Sequence, residues 1–153
     1  MVKIFGKGFS LVELKVVIGI ISLLALVALP SYRNFILRAE FIETKMAVGA
    51  VKVSFEVCAQ MLGLAKVKNC QHKSYGIPAI KKSAKGVVGV ELVSDIFKAI
   101  DVKSASEGDQ VKIIATAPID SKNANQTYTL TATLMTGGRV EWDKGVCSKA
   151  ELC

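Results

Sequence analysis

Apolar positions along this chain fall into three regimes. From Leu11 to Pro30 they are almost unbroken: only Glu13, Lys15 and Ser22 interrupt a run of Leu, Val, Ile, Ala and Gly. A stretch of about 20 mostly apolar residues is long enough to cross a bilayer as a helix. Past Pro30 the spacing changes. Phe35, Ala39, Ile42, Met46, Gly49, Val53 and Val57 recur at three and four residues, while Arg38, Glu43, Lys45, Lys52 and Glu56 fall on other faces. That period predicts a helix with one apolar stripe. The two regimes join into one long helix from Phe9 to about Leu62, kinked or locally melted near Pro30, where the ring removes a backbone donor. Its second half is expected to bury the stripe against a sheet.

The third regime supplies that sheet. Gly63 to about Gly86 is rich in Lys, Gly, Ser and Asn, with Pro78, and reads as a loop. Ile96–Ser104 is the expected first strand, ended by the turn-rich Ser106-Glu-Gly-Asp109. Val111–Ala117 follows, and Thr127–Leu134 alternates at period two with strand-favouring residues. Gly137-Gly138 predicts a tight hairpin turn into Arg139–Trp142. Val87–Val93 reads equally as a short strand or a helical turn. Antiparallel strands with one wet face are what a half-apolar helix needs. The expected fold class is therefore α+β: a long N-terminal helix, membrane-spanning in its first half, packed on a four-stranded antiparallel sheet.

Composition sharpens this picture in two places. The formal charge is +7, from 20 basic and 13 acidic residues. The lysines are scattered (Lys66, Lys68, Lys73, Lys81, Lys82, Lys85), with little aromatic interleaving, and only Arg33 and Arg38 lie near each other. This is a solvated basic surface rather than the footprint of a nucleic-acid groove. Four cysteines, Cys58, Cys70, Cys147 and Cys153, suggest disulfides in an exported chain. Three connectivities exist, and the spacing favours two local loops, Cys58–Cys70 and Cys147–Cys153. No pair has C-x-x-C spacing, and His72, the only histidine, cannot complete a metal set or a triad. With no G-x-S-x-G and no Gly-rich phosphate loop either, no catalytic residues, metal or cofactor are expected. Asn125-Gln-Thr127 fits a glycosylation pattern that carries little weight.

A cleaved export signal would also place an apolar run near the N-terminus, with Val-Ala-Leu-Pro-Ser-Tyr as its cutting site. Glu13 and Lys15 argue against it. A charge in a membrane helix costs about 2.5 to 3.5 kcal/mol at its centre, so such charges usually have a task. Lysines ahead of the run place its N-terminal end in the cytoplasm.

Gly8-Phe9-Ser10-Leu11-Val12-Glu13-Leu14 resembles the processing site of type IV prepilins, and the likeness runs on to Ala28-Leu29-Pro30-Ser31-Tyr32. The resemblance implies the pilin fold and a leader, residues 1–8, removed between Gly8 and Phe9 by a prepilin peptidase. The same enzyme would methylate the new Phe9 amine. It implies a transmembrane and assembly helix over 9–30 and a head over 31–153. The head would divide into an amphipathic helix 31–62, a loop 63–95, a sheet 96–142 and a C-terminal disulfide loop 143–153. Glu13 would pair with the Phe9 amine of a neighbouring copy and set the axial register. Lys15 departs from the family pattern, which has an apolar residue there; it could snorkel to headgroups or neutralise a neighbour's Glu13.

The implied function is a non-enzymatic subunit of a type IV pilus serving adhesion, motility or DNA uptake. Such a subunit waits in the inner membrane and is assembled into a homo-oligomeric surface filament by a platform protein and an assembly ATPase. A pseudopilin of a type II secretion or DNA-uptake system shares the motif. A single-pass anchored binding domain that never polymerises is the alternative of another class: it would keep residues 1–8 and have no use for Glu13.

Overall fold

The computed structural model describes residues 9–79, 82–98 and 105–153. Its main elements are α1 (Leu11–Lys66), β1 (Gly89–Val93), α2 (Asp95–Lys98), β2 (Gln110–Thr116), β3 (Thr127–Leu134), β4 (Val140–Trp142) and β5 (Val146–Cys147). The chain divides into two units, one through Ile36 and one from Leu37 to Cys153. The sheet and the hydrophobic core belong to the second.

Strands β1, β2, β3 and β4 lie side by side in that order, all antiparallel, and β5 also pairs with β3. The register explains the core. Leu92 faces Ile113, Val111 faces Ala132, Ile113 faces Leu130, and Leu134 faces Val140 across successive ladders. Side chains alternate between the two faces of a strand, so these pairs line one face. Between them stand Lys112, Thr129, Thr131 and Thr133, half-buried or exposed on the other face. The inner face is notched by Ala115 and Ala132, both fully buried, which leaves room for larger helix side chains. Phe55 fills part of that room and meets Trp142 edge to face at 6.3 Å.

The helix presents a different face to the sheet from the one expected. Its buried residues are Phe41, Thr44, Val48, Val51, Phe55, Cys58 and Ala59. The stripe Phe35, Ala39, Ile42, Met46, Gly49, Val53 and Val57 is exposed throughout. Both rows have helical spacing, so periodicity alone does not choose between them. What chooses is size and covalent linkage. Phe41 and Phe55 fill the core, and Cys58, joined to Cys70, anchors the same face to the following loop.

Three boundaries also move. The first strand is β1 at Gly89–Val93, not Ile96–Ser104, because Val90 and Leu92 are the residues that alternate onto the core. Asp95–Lys98 forms α2 instead, opened by a turn in which the Phe97 N–H donates to the Ser94 carbonyl; residues 99–104 of the expected strand lie outside the described residues. The tail expected as a loop contributes the two-residue β5. The helix continues past Leu62 to Lys66 across Gly63, whose φ of 62° and ψ of 179° belong to a region open in practice only to glycine. At Gly138, with φ of 79°, a Cβ would overlap the Ala59 carbonyl, so the β3–β4 turn can press directly against the helix only as glycine.

A second, smaller core closes the start of the head helix. Phe41, Ala117, Cys147 and Leu152 are buried together with Leu37 and Tyr128 packed on them. Polar ties reinforce it. Arg38 Nε donates to the Glu151 carbonyl at 2.7 Å, and Asn123 Nδ2 donates to the Leu37 carbonyl at 2.7 Å. Lys122 and Glu40 pair at 3.5 Å, an exposed contact that contributes little.

Candidate assembly surface

In the first unit, α1 opens with a side-chain cap. The Ser10 N–H donates to Glu13 Oε2 at 2.9 Å, and the Leu14 N–H donates to the Ser10 carbonyl at 3.1 Å. This is half of a capping box, Ser-x-x-Glu, in which the third residue's carboxylate satisfies an otherwise orphaned donor. A carboxylate in the first helical turn also complements the positive end of the helix dipole. Oε1 has no hydrogen-bond partner among the described residues.

Beyond Lys15, the helix is apolar on every side as far as Pro30. Leu11, Leu14, Ile18, Ile21, Leu24 and Leu29 are all exposed. From Val16 to Pro30 the one polar residue, Ser22, donates its hydroxyl to the Ile18 carbonyl at 2.7 Å and so costs little in a non-aqueous setting. By length and composition this is a helix able to cross a membrane, and none of its most apolar stretch is buried within the chain. An apolar helix exposed all round needs lipid or protein as its solvent.

The second unit carries its own unpartnered apolar face. Ile42, Met46, Val53, Val57 and Met61 project away from the sheet, with Met46 and Met61 at least 70% exposed. Along one flank of this row run Arg38, Lys45 and Lys52, seven residues apart and therefore nearly in line. Lys45 lies 5.9 Å from the centre of the Tyr128 ring and Lys52 5.2 Å from that of Trp142, so both ammonium groups lie over aromatic rings of the sheet, one on β3 and one on β4. Across the apolar row stand Glu40 and Glu43. Reading the sequence for one stripe misses this surface, since it assigns the same residues to the core. The exposed methionines were the available signal: flexible, polarisable side chains suit surfaces that meet other proteins.

Of the residues singled out for chemistry, Phe9 is 75% exposed beside the cap, Gly8 lies outside the described residues, and Glu13 is held by Ser10. Disulfides join Cys58 to Cys70 and Cys147 to Cys153, the two local loops that spacing favoured. His72 is occupied structurally. Its Nε2 accepts from the Leu92 N–H at 2.7 Å and its Nδ1 stands 2.7 Å from the Pro78 carbonyl, a pairing met by the tautomer protonated on Nδ1. Asn125 sits in a turn with φ of 61°.

A long apolar helix on an antiparallel sheet, stapled by local disulfides, is an α+β arrangement consistent with the pilin fold. Comparison with known proteins agrees. No family model matches the chain. Among curated proteins it is similar to the type IV pilus subunit protein TapA of Aeromonas hydrophila, 35% identical over 72 residues, or 47% of this chain and 49% of the relative. The prepilin peptidase-dependent protein D of Escherichia coli is 34% identical over 73 residues, 48% of this chain and 49% of the relative. The type IV major fimbrial protein FimA of Dichelobacter nodosus is 38% identical over 56 residues, 37% of this chain and 36% of the relative. The chain spans half or less of the length of these relatives. Over that part it is a homologue of type IV pilin and fimbrial proteins.

Proposed function

We propose that the chain is a structural subunit of a type IV pilus, held in the inner membrane by its first helix and then assembled through it into a surface filament. The observation that carries this reading is the solvent exposure of every apolar residue from Leu11 to Leu23 in a helix that starts with a capped carboxylate. Lipid satisfies such a surface before assembly, and copies of the same helix satisfy it afterwards, so apolar contact is exchanged rather than lost. Removal of residues 1–8 by a prepilin peptidase between Gly8 and Phe9 would free a cationic, N-methylated amine one residue from the Ser10 N–H that Glu13 already caps. Glu13 of one copy then offers that amine its counter-charge in another. The exposed row Ile42–Met61 adds contact from the head half. Energy for extraction from the bilayer comes from partners, a platform protein and an assembly ATPase.

The test is mass spectrometry of the protein from membrane and sheared surface fractions of its host. A chain beginning at methylated Phe9 in the sheared fraction, with its four cysteines paired, is expected. An unprocessed chain confined to the membrane would mean an anchored domain that does not polymerise. A chain cut after Pro30 would mean a secreted soluble head.

A further inference from the structure

Glu13 and Lys15 are the only charged side chains from Phe9 to Tyr32, and Glu13 is the only carboxylate before Glu40. They stand two residues apart, so they leave the helix about 200° apart and about 3 Å from each other along its axis. Residues so placed do not meet on a helix surface. The positions that Lys15 can reach on its own helix are Leu11, Val12, Ile18 and Gly19, and none is acidic. No carboxylate among the described residues forms an ion pair with Lys15, which is exposed. Glu13, meanwhile, spends one oxygen on the Ser10 N–H, which pins its carboxylate at the N-terminal edge of the helix, and its other oxygen has no partner among the described residues.

Resting on the filament reading above, we infer that Lys15 is a second positioning cation, which takes the open oxygen of Glu13 on an adjacent copy. Each copy presents an anion on one side and a cation on nearly the opposite side at almost the same height. Such a pair cannot close into a symmetric dimer that satisfies both charges of both copies through one contact patch. It joins one copy to the next head to tail, with the second copy's Lys15 facing onward, and so propagates. Once lipid and water are replaced by packed apolar helices, both charges need that partner. The Phe9 amine and Lys15 then bracket the same carboxylate from two copies, so the stagger is set by two cations where a chain with an apolar residue at this place would have one.

The experiment compares sheared filament with the processed membrane pool for wild type, Lys15→Met and Lys15→Arg in the native host. Lys15→Met is expected to lower sheared filament at least tenfold with the processed pool unchanged, and Lys15→Arg to stay within about twofold of wild type. Filament of Lys15→Met at wild-type yield would overturn the inference. So would a fall in the membrane pool itself, which would place Lys15 on lipid headgroups instead. A companion measurement treats wild-type filaments with a lipid-soluble carbodiimide and maps the new amide bonds. Two peptides joined through Glu13 and Lys15 are expected, and joining through the Phe9 amine alone would refute the pairing. Absence of wild-type filament would remove the filament reading itself, an outcome distinct from every one of these.

Discussion

Thr44 sits fully buried against the sheet, and its hydroxyl has no hydrogen-bond partner among the described residues. A buried hydroxyl without a partner keeps its desolvation cost, so an apolar group of the same shape is the better occupant. Thr44→Val is therefore expected to leave stability unchanged or raise it by about 1 kcal/mol, measured by denaturant unfolding of the full chain in detergent. Nothing in the sequence marked Thr44, because its polar character argues for the surface while its helical phase puts it in the core. Glu13 was legible for the opposite reason: a carboxylate in an apolar run contradicts its surroundings, and the contradiction itself is informative. Its bond to Ser10 was a subtler matter, visible only as the spacing Ser-x-x-Glu.

Among the elements, α1 shows what periodicity does and does not reveal. The existence and type of the helix could be read directly, though not its end at Lys66, and so could β3, where Thr127–Leu134 alternates without a break. Which side of the helix faces inward could not. Two apolar rows share the same period, and only the Phe41–Phe55 row matches the alanine-notched face of β2 and β3. The short β1 was equally undecidable, since five residues of mixed pattern suit a strand or a turn. Reversing the faces has a measurable consequence. Val53→Asp, on the outer row, is expected to change unfolding free energy by no more than about 0.5 kcal/mol while reducing sheared filament at least tenfold. Val51→Asp, on the inner row, is expected to prevent the head from folding at all. Equal loss of stability in the two variants would show that the outer row is not a free surface.

For the whole molecule, two cross-links divide the work of holding a small head together. Cys58–Cys70 ties the end of the buried helix face to the loop before β1, and Cys147–Cys153 closes the C-terminal turn over Phe41. Their sequence separations are 12 and 6 residues. Loop-closure entropy then assigns about 3 kcal/mol to the first and about 2.4 kcal/mol to the second. Replacing Cys58 and Cys70 together by alanine should lower unfolding free energy by more than replacing Cys147 and Cys153 does, with chemical unfolding as the check. Cys58 and Cys70 are packing elements too, with no exposure at all, so the first loss should exceed its entropic share.

The sheet's borders bear on a hazard that the proposed filament subunit would face. On the β1 side, the outward Leu92 N–H is already taken by the His72 ring. On the other side, β3 is shared between a three-residue and a two-residue strand, which splits that border into short lengths. A stranger's strand finds little continuous backbone to zip onto at either border. Molecules crowded side by side are thereby steered away from amyloid-like stacking. In the proposed filament, contact between copies would then be left to the helices.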